Sequence, residues 1–289
     1  MAYDLLRLFE SLHLAENRLL RAGVDSPRLS AELIMAMIKG EDRLWVLTHQ
    51  DTVLTPEQSQ AYFQAVELRA SGCPVAYLIG KREFFGRNFH VNSDVLIPRP
   101  ETEILIETAR SLWTTAADLV FADAGTGCGA VGVCFASLFP RSRGVLTDRS
   151  MAALRTAQKN VAAHELSFRL ICSCTDLVSA CPQQSLDAVL SNPPYIGSAE
   201  YWMLSKEVRH FEPRLALWGG LTGIDVSLRL IGQAFQVLRP GGWLCMEIGH
   251  DQFSVLRDRM QARYANHWDE VDVVQDLAGR DRVLKAKRV

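Results

Sequence analysis

Asn192-Pro193-Pro194-Tyr195 is a short run whose residue types suit one kind of chemistry. Each proline fixes its own φ and removes a backbone donor, and the residue before a proline is driven toward extended geometry. The run therefore has a set shape and presents carbonyl acceptors. Asn192 adds a side-chain acceptor and donor, and Tyr195 adds a flat ring with a polar tip. The Asn192 oxygen and the Pro193 carbonyl can each accept one hydrogen of a planar NH2 group, with Tyr195 packed on the plane behind. An amide or aromatic amine is a poor nucleophile because its lone pair is delocalised. Holding both hydrogens aims that lone pair at an electrophile. Taken alone, the run also reads as a plain strand stop, because Asp187 to Leu190 ahead of it has the character of a short buried strand.

A second constellation is Asp123-Ala124-Gly125-Thr126-Gly127-Cys128-Gly129-Ala130. Positions without a side chain let a ligand approach the backbone, and Gly125, Gly127 and Ala130 fit a G-x-G-x-x-A nucleotide pattern. Asp148 closes the next apolar run, where a carboxylate can accept from both hydroxyls of a ribose. A nucleoside-type ligand is expected, against the alternative of a mere tight strand–helix turn, but these residues alone do not separate a nicotinamide dinucleotide from S-adenosylmethionine. Three features favour the latter. Asp123 can face a cationic methionine end. The fourth strand leads into the amine-gripping corner rather than a hydride-transfer site. The last two strands are too close together for a helix and should pair antiparallel. Asp176 and Leu177 are placed to flank the adenine; Asp176 can accept from its amine, and reads equally as a solvated loop acid.

The elements that must hold these residues follow from periodicity. Helical spacing runs from Asp4 to Leu20 and closes at Gly23. Ser26-Pro27 reads as a cap opening a helix that stops at Gly40. A short helical piece surrounds Leu44 to Leu47, and Thr55-Pro56-Glu57-Gln58 is a capping box for a helix ending near Gly72. Strands 83–85 and 89–91 suggest a hairpin around 86–88. Pro100 should open a helix reaching Trp113. From about residue 117 strands and helices alternate, implying a mostly parallel sheet covered on both faces. Strands are expected at 119–123, 144–148, 168–171, 187–191 and 243–248, then at 271–274 and 282–286. Helices are expected at 130–139, 150–161, 224–238 and 252–263, with a turn at Pro240-Gly241-Gly242 and a long insert from Ile196 to Gly223. The basic residues Arg280, Arg282, Lys285, Lys287 and Arg288 read as a solvated tail, with a face toward a partner as the alternative.

The 289 residues suffice for one large domain and a small one, and a 48% apolar content fits an ordinary core. A formal net charge of −2 gives no bulk attraction to phosphate backbones. There is no long apolar run for a membrane span and no basic lead typical of a signal peptide. The seven cysteines and seven histidines are scattered without metal-ligand spacing, so free thiols in a reducing cytoplasm and no metal are expected.

On Pro74 to Gly80, Arg82-Glu83-Phe84, Leu96 to Glu103, the glycine loop, Ser191 to Ile196, Glu212-Pro213 with Ala216-Leu217, and Gly279 to Arg282, the chain closely resembles the peptide chain release factor glutamine methyltransferases, the PrmC or HemK family. The resemblance implies an α/β S-adenosylmethionine-dependent methyltransferase fold: a seven-stranded mixed sheet with the last strand antiparallel and a small N-terminal helical bundle. Its implied organisation is a release-factor-binding bundle over 1–75, a hairpin linker over 76–98 and a catalytic domain over 99–289. It implies methyl transfer from S-adenosylmethionine to the glutamine side-chain amide in the Gly-Gly-Gln motif of class 1 release factors. By the same resemblance Gly125, Thr126, Gly127, Cys128, Gly129, Asp148 and Asn192 bind the cofactor, and Asn192, Pro193, Pro194 and Tyr195 hold the glutamine. Where the family carries Asp-Gly after a Gly-Gly pair, this chain has Leu221-Thr222-Gly223. Val226-Ser227 stand where an aromatic often occurs, Thr175 replaces a glycine, and Leu177 stands where an aromatic sometimes occurs. A cytoplasmic monomer without nucleic acid is expected. The rival readings are an adenine-N6 DNA methyltransferase, a nicotinamide-dependent oxidoreductase, and a release-factor-binding or ribosome-binding module without catalysis.

Overall fold

Leu8, Leu12, Ala15 and Leu19 recur at helical spacing, and all four are fully buried. The computed structural model of the protein describes residues 6–265 and 267–289, so the expected helical residues Asp4 and Leu5 lie outside the described residues. The chain divides into two compact units: the described part of Met1–Lys81 together with Ser205–Phe211, and Arg82–Leu204 with Glu212–Val289.

The first unit is helical. It contains α1 (Leu8–Arg21), α2 (Pro27–Lys39), α3 (Arg43–Thr48), α4 (Pro56–Ala70) and α5 (Val75–Ile79). The stripe of α1 packs with Ile34 and Met35 of α2 and Tyr62 and Val66 of α4. Thr55 and Gln58 exchange side-chain to backbone hydrogen bonds, forming the expected box. Ser26 does not cap α2 with its side chain; its φ of 53° places it in the left-handed region, and Pro27 alone opens the helix. A later helix, α10 (Lys206–Phe211), joins this unit. There the buried Arg69 donates to the Glu207 carboxylate at 2.9 Å and to the Cys73 carbonyl at 2.9 Å. Phe211 packs over Gly72, where an added Cβ would stand 3.4 Å from its ring.

The hairpin pairs β1 (Lys81–Phe84) with β2 (Arg87–His90). Its turn is the two residues Phe85 and Gly86, both at positive φ, rather than 86–88. That is the primed geometry matching strand twist, and the Glu103 carboxylate accepts from Phe85 N to hold it.

The second unit carries the main sheet. Its strands are β3 (Val120–Ala124), β4 (Arg143–Asp148), β5 (Leu170–Cys174), β6 (Leu186–Ser191), β7 (Leu238–Glu247), β8 (Trp268–Gln275) and β9 (Asp281–Arg288). They lie in the order β5-β4-β3-β6-β7-β9-β8. Pairing is parallel from β5 to β7, and β9 runs antiparallel between β7 and β8. The helices α6 (Glu103–Ser111), α7 (Ala130–Leu138), α8 (Met151–Ala163), α12 (Asp225–Val237) and α13 (Phe253–Arg263) accompany it, and the insert adds α9 (Ser198–Tyr201) and α11 (Arg214–Leu217).

Several boundaries differ from the sequence reading. Pro100 opens a 3-10 turn, Pro100–Thr102, before α6, and α6 stops at Ser111. The third parallel strand starts at Leu170, leaving Phe168 exposed, because Arg169 turns inward to cap the Ala136, Phe139 and Ser142 carbonyls. Pro240-Gly241-Gly242 forms no separate turn; it is an irregularity within β7, across which Leu186 faces Leu238 and Ala188 already faces Trp243. The basic end of the chain is a paired strand: Arg282 meets Asp276 at 2.9 Å, Lys285 meets Asp272 at 3.5 Å and Lys287 meets Glu270 at 3.0 Å.

Buried Asn160 on α8 ties the hairpin to the glycine loop. It accepts from His90 N at 2.7 Å and donates to the His90 carbonyl at 3.0 Å and the Cys128 carbonyl at 2.8 Å. Asn160→Ala would leave the buried Cys128 carbonyl unpaired and release the part-buried His90 backbone groups, so a loss of roughly 1–3 kcal/mol is expected. Urea unfolding checks this; a loss below about 0.5 kcal/mol, the scale of an ordinary surface change, would show that the clamp adds little.

Candidate active site

The carboxyl ends of β3, β4 and β6 meet where strand order reverses, the usual ligand site of an open parallel sheet. A cavity of about 390 Å³ opens there, within the size range of a small-molecule site. Asp123, Gly125, Thr126, Gly127, Cys128, Asp148, Asp176, Leu177, Asn192 and Pro194 line it. It also takes in Thr102, Arg149, Trp218, Asp225 and Arg229. One continuous space thus runs from the glycine loop to the di-proline corner. Gly129, Pro193 and Tyr195, singled out from sequence, are not among its walls.

Gly125, Gly127 and Gly129 all have positive φ. A Cβ on Gly125 or Gly127 would meet open space, whereas one on Gly129 would stand 3.3 Å from the Ala157 side chain. The first two glycines leave backbone bare toward the cavity, and the third lets α7 and α8 approach. The loop is pinned by Thr126 N donating to the Thr147 carbonyl at 2.9 Å and Gly127 N donating to Asp148 Oδ2 at 3.0 Å. Asp148 Oδ1 accepts from Ser150 N at 2.9 Å. Asp123 Oδ2 accepts from the Thr126 hydroxyl at 2.5 Å and from Gly132 N at 2.9 Å.

Both carboxyls are raised in pKa. Burial pushes Asp123 up to about 6, opposed by its Thr126 and Gly132 donors and reinforced by the Asp148 charge. Burial also raises Asp148, opposed by backbone donors from Ser150, Gly127 and Arg149. Two desolvated acids on one cavity favour an occupant that brings positive charge and hydroxyl donors.

Asp176 is held by Arg229, whose Nη1 donates to Oδ2 at 2.6 Å, with Arg149 3.7 Å from Oδ1. Oδ1 is buried and accepts no hydrogen bond among the described residues. Leu177 beside it is buried and sits at φ 55°, a left-handed conformation costing on the order of 1–3 kcal/mol outside glycine. A bare backbone cradle, a buried acid at the end of β4, an orphaned acceptor and acids that outnumber the two arginines are what the sugar, base amine and sulfonium of S-adenosylmethionine would meet. The residues fit that cofactor. No cluster of three or more His, Cys, Asp or Glu side chains suited to a metal ion occurs among the described residues.

At the corner, Asn192 Nδ2 donates to the Thr102 hydroxyl at 2.9 Å, which turns its Oδ1 away from Thr102. The Tyr195 hydroxyl donates to Glu247 Oε1 at 3.2 Å, and the Tyr195 carbonyl accepts from Gln252 Nε2 at 2.8 Å. Tyr195 is thus fixed from both ends. Burial raises its pKa, the Glu247 charge adds to this, and the hydroxyl stays protonated.

Glycines of the insert press on the same corner. A Cβ on Gly219 would stand 2.5 Å from the Pro194 carbonyl oxygen and 2.8 Å from Tyr195 Cα, and one on Gly223 would stand 2.5 Å from the Tyr195 carbonyl oxygen. Asp225 accepts from Leu221 N and from the Thr222 hydroxyl, both at 3.0 Å. Asp225 with Thr222 therefore secures the turn at Leu221-Thr222. Gly219→Ala is expected to shift the corner and lower turnover by about tenfold, with cofactor affinity unchanged. Parallel turnover and calorimetry measurements check it; unchanged turnover would show that the corner tolerates the displacement.

Sequence reasoning missed Thr102 as a contact of Asn192, Glu247 as a partner of Tyr195, and Arg229 as the partner of Asp176. Glu247 had one legible signal: it is a lone acid at the carboxyl end of an apolar strand. Glu212, quoted only as part of a motif, is buried, pairs with Arg99 and accepts from Ile97 N at 3.3 Å, anchoring the segment before Thr102.

The PrmC N-terminal domain family matches residues 10–80, and the Methyltransferase small domain family matches residues 100–209. The release factor glutamine methyltransferase of Nitratidesulfovibrio vulgaris is 42% identical over 276 residues, covering 95% of this chain and 92% of its own. That of Moorella thermoacetica is 38% identical over 281 residues, covering 97% and 98%. A methyltransferase crystal structure from Pyrococcus furiosus superposes with a TM-score of 0.51 at 19% identity over 71% of this chain and 90% of its own, a likeness of fold. With relatives of that identity matched end to end, the chain belongs to the release factor glutamine methyltransferase family.

Proposed function

We propose that this enzyme methylates the side-chain amide nitrogen of the glutamine in the Gly-Gly-Gln motif of class 1 release factors. The observation that carries the reading is the corner itself. Asn192 is held by Thr102 with its oxygen turned away, and it lines the same cavity as the glycine loop. The cofactor, S-adenosylmethionine, supplies an electrophilic methyl group when bound; Gly125, Gly127, Asp148 and Asp176 would hold it. Asn192 Oδ1 on the cavity wall accepts one amide hydrogen, and the Pro193 carbonyl, between the wall residues Asn192 and Pro194, accepts the other once the amide enters the corner. Their oxygens stabilise positive charge as it develops on the nitrogen. Holding the planar group in one orientation converts an encounter into a positioned displacement. No base is needed beforehand, because the methylated nitrogen is acidic and sheds its proton afterwards.

The helical first unit is assigned to release-factor contact, and residues 99–289 to catalysis. The enzyme acts in the cytoplasm, as a monomer, without nucleic acid. The net charge of −2 supports the last point, and no helix among the described residues is long and apolar enough to cross a membrane. Methyl-labelled cofactor offered to release factor, to release factor with the motif glutamine replaced by alanine, and to duplex DNA tests the assignment. Label is expected on the first alone. Label on DNA, or equal label on the alanine variant, would overturn it.

A further inference from the structure

The described hydrogen bonds do not use everything buried behind the corner. Glu247 ends β7 and is 1% exposed. Its Oε1 accepts from Tyr195, but its Oε2 is buried with no hydrogen-bond partner. Thr102 is 4% exposed and accepts from Asn192, and its hydroxyl is within reach of the Glu247 carboxylate. A hydroxyl and a buried carboxylate with one unpartnered oxygen therefore meet behind the corner. The Thr102 hydroxyl lies near enough to Glu247 to stabilise its charged form, yet stops short of a formed hydrogen bond.

We propose that Glu247 is a positioning residue that sets the direction of the corner's hydrogen bonds, acting through Thr102 to keep the Asn192 oxygen toward the cavity. The proposal rests on the reading of Asn192 as the acceptor of the substrate amide. A carboxylate can only accept, and a hydroxyl has one hydrogen. With Glu247 ionised, that hydrogen turns toward Oε2. The Thr102 oxygen is then left with lone pairs for Asn192. Only the amide nitrogen can answer them, so Oδ1 must face the other way. Without the carboxylate, Thr102 can donate to Asn192 instead. The amide then flips and presents NH2 to NH2, which cannot hold the substrate.

The groups facing Glu247 define how this direction depends on pH. Burial raises its pKa; the Thr102 and Tyr195 hydroxyls and the Arg282 charge lower it, and Glu101 raises it. Arg282 is shared with Asp276 at 2.9 Å, so its pull on Glu247 is divided. As pH falls through the raised pKa, Glu247 gains a proton it can donate to Thr102, and the direction is lost. Turnover should therefore decline on the acid side.

The test uses the full-length enzyme with Thr102→Ser, Thr102→Val and Glu247→Gln, with release factor as methyl acceptor. Thr102→Val is expected to lower kcat by on the order of tenfold or more, the scale of a lost preorganised partner, with cofactor affinity and melting temperature near wild type. Thr102→Ser keeps the hydroxyl and is expected to stay within about threefold of wild type, below the cost of one hydrogen bond to a charged group. The acid limb of kcat is expected in wild type and Thr102→Ser and absent in Thr102→Val and Glu247→Gln. Normal kcat in Thr102→Val, equal losses in the two Thr102 variants, or an acid limb persisting in Thr102→Val would each overturn the proposal. Asn192→Ala separates the two levels. If it is active, the reading of the corner fails; if it is dead while Thr102→Val is normal, only the directional role fails.

Discussion

Asn192→Ala is expected to lower turnover by on the order of 10²–10³, as loss of one preorganised polar partner does, with little change in cofactor affinity. The side chain lines the cavity and its nitrogen is already committed to Thr102. Its oxygen is therefore the group left to accept, and alanine removes it without disturbing the Pro193 carbonyl. Asn192→Asp is the sharper comparison. It keeps an acceptor but replaces the donor to Thr102 with a second acceptor, beside the buried Glu247. That carboxylate should be disfavoured there, and activity should fall rather than recover. Single-turnover measurements with saturating cofactor separate this from binding. An alanine variant with near-normal turnover would remove Asn192 from the mechanism.

Asp148→Ala is expected to weaken cofactor binding by roughly a hundredfold, the scale of two hydrogen bonds to a charged group net of solvent competition, while slowing the transfer step much less. Asp148 also accepts from Gly127 N and Ser150 N, so its loss loosens the glycine loop as well. Asp148→Asn keeps one acceptor and should show an intermediate loss. Burial holds the Asp148 pKa above the usual carboxylate range. In the proposed ribose role the charged form would accept from both hydroxyls, and it is lost as pH falls through that raised pKa. Affinity should therefore decline with falling pH in wild type and decline less steeply in Asp148→Asn, where the Asp123 carboxyl still titrates. Calorimetry across the acid range checks both statements; an unchanged affinity in the alanine variant would rule out the diol contact.

The parts legible in the sequence were those whose physics is local. The glycine loop announces itself because side-chain-free positions are rare and costly unless used, and Asp148 because it ends an apolar strand. The di-proline corner is legible because proline leaves the backbone few choices. The closely spaced final strands forced an antiparallel pair, and β9 lies so between β7 and β8. The partnerships were not legible, because they join residues far apart in the chain: Asn192 with Thr102, Tyr195 with Glu247, Asp176 with Arg229. Periodicity carries no information about such contacts. It also misplaced the third parallel strand, since Phe168 has strand character while the inward turn of Arg169 depends on three carbonyls of an earlier segment.

The membership of α10 in the helical unit bears on how the protein can be dissected. A fragment ending at Lys81 would keep five helices but omit Ser205–Phe211. It would strand the Arg69 guanidinium in the interior without its carboxylate and uncover the face at Gly72 that Phe211 shields. Excised on its own, such a fragment should be weakened by an uncompensated interior charge, and supplying the 205–211 peptide in trans should restore part of its resistance to proteolysis.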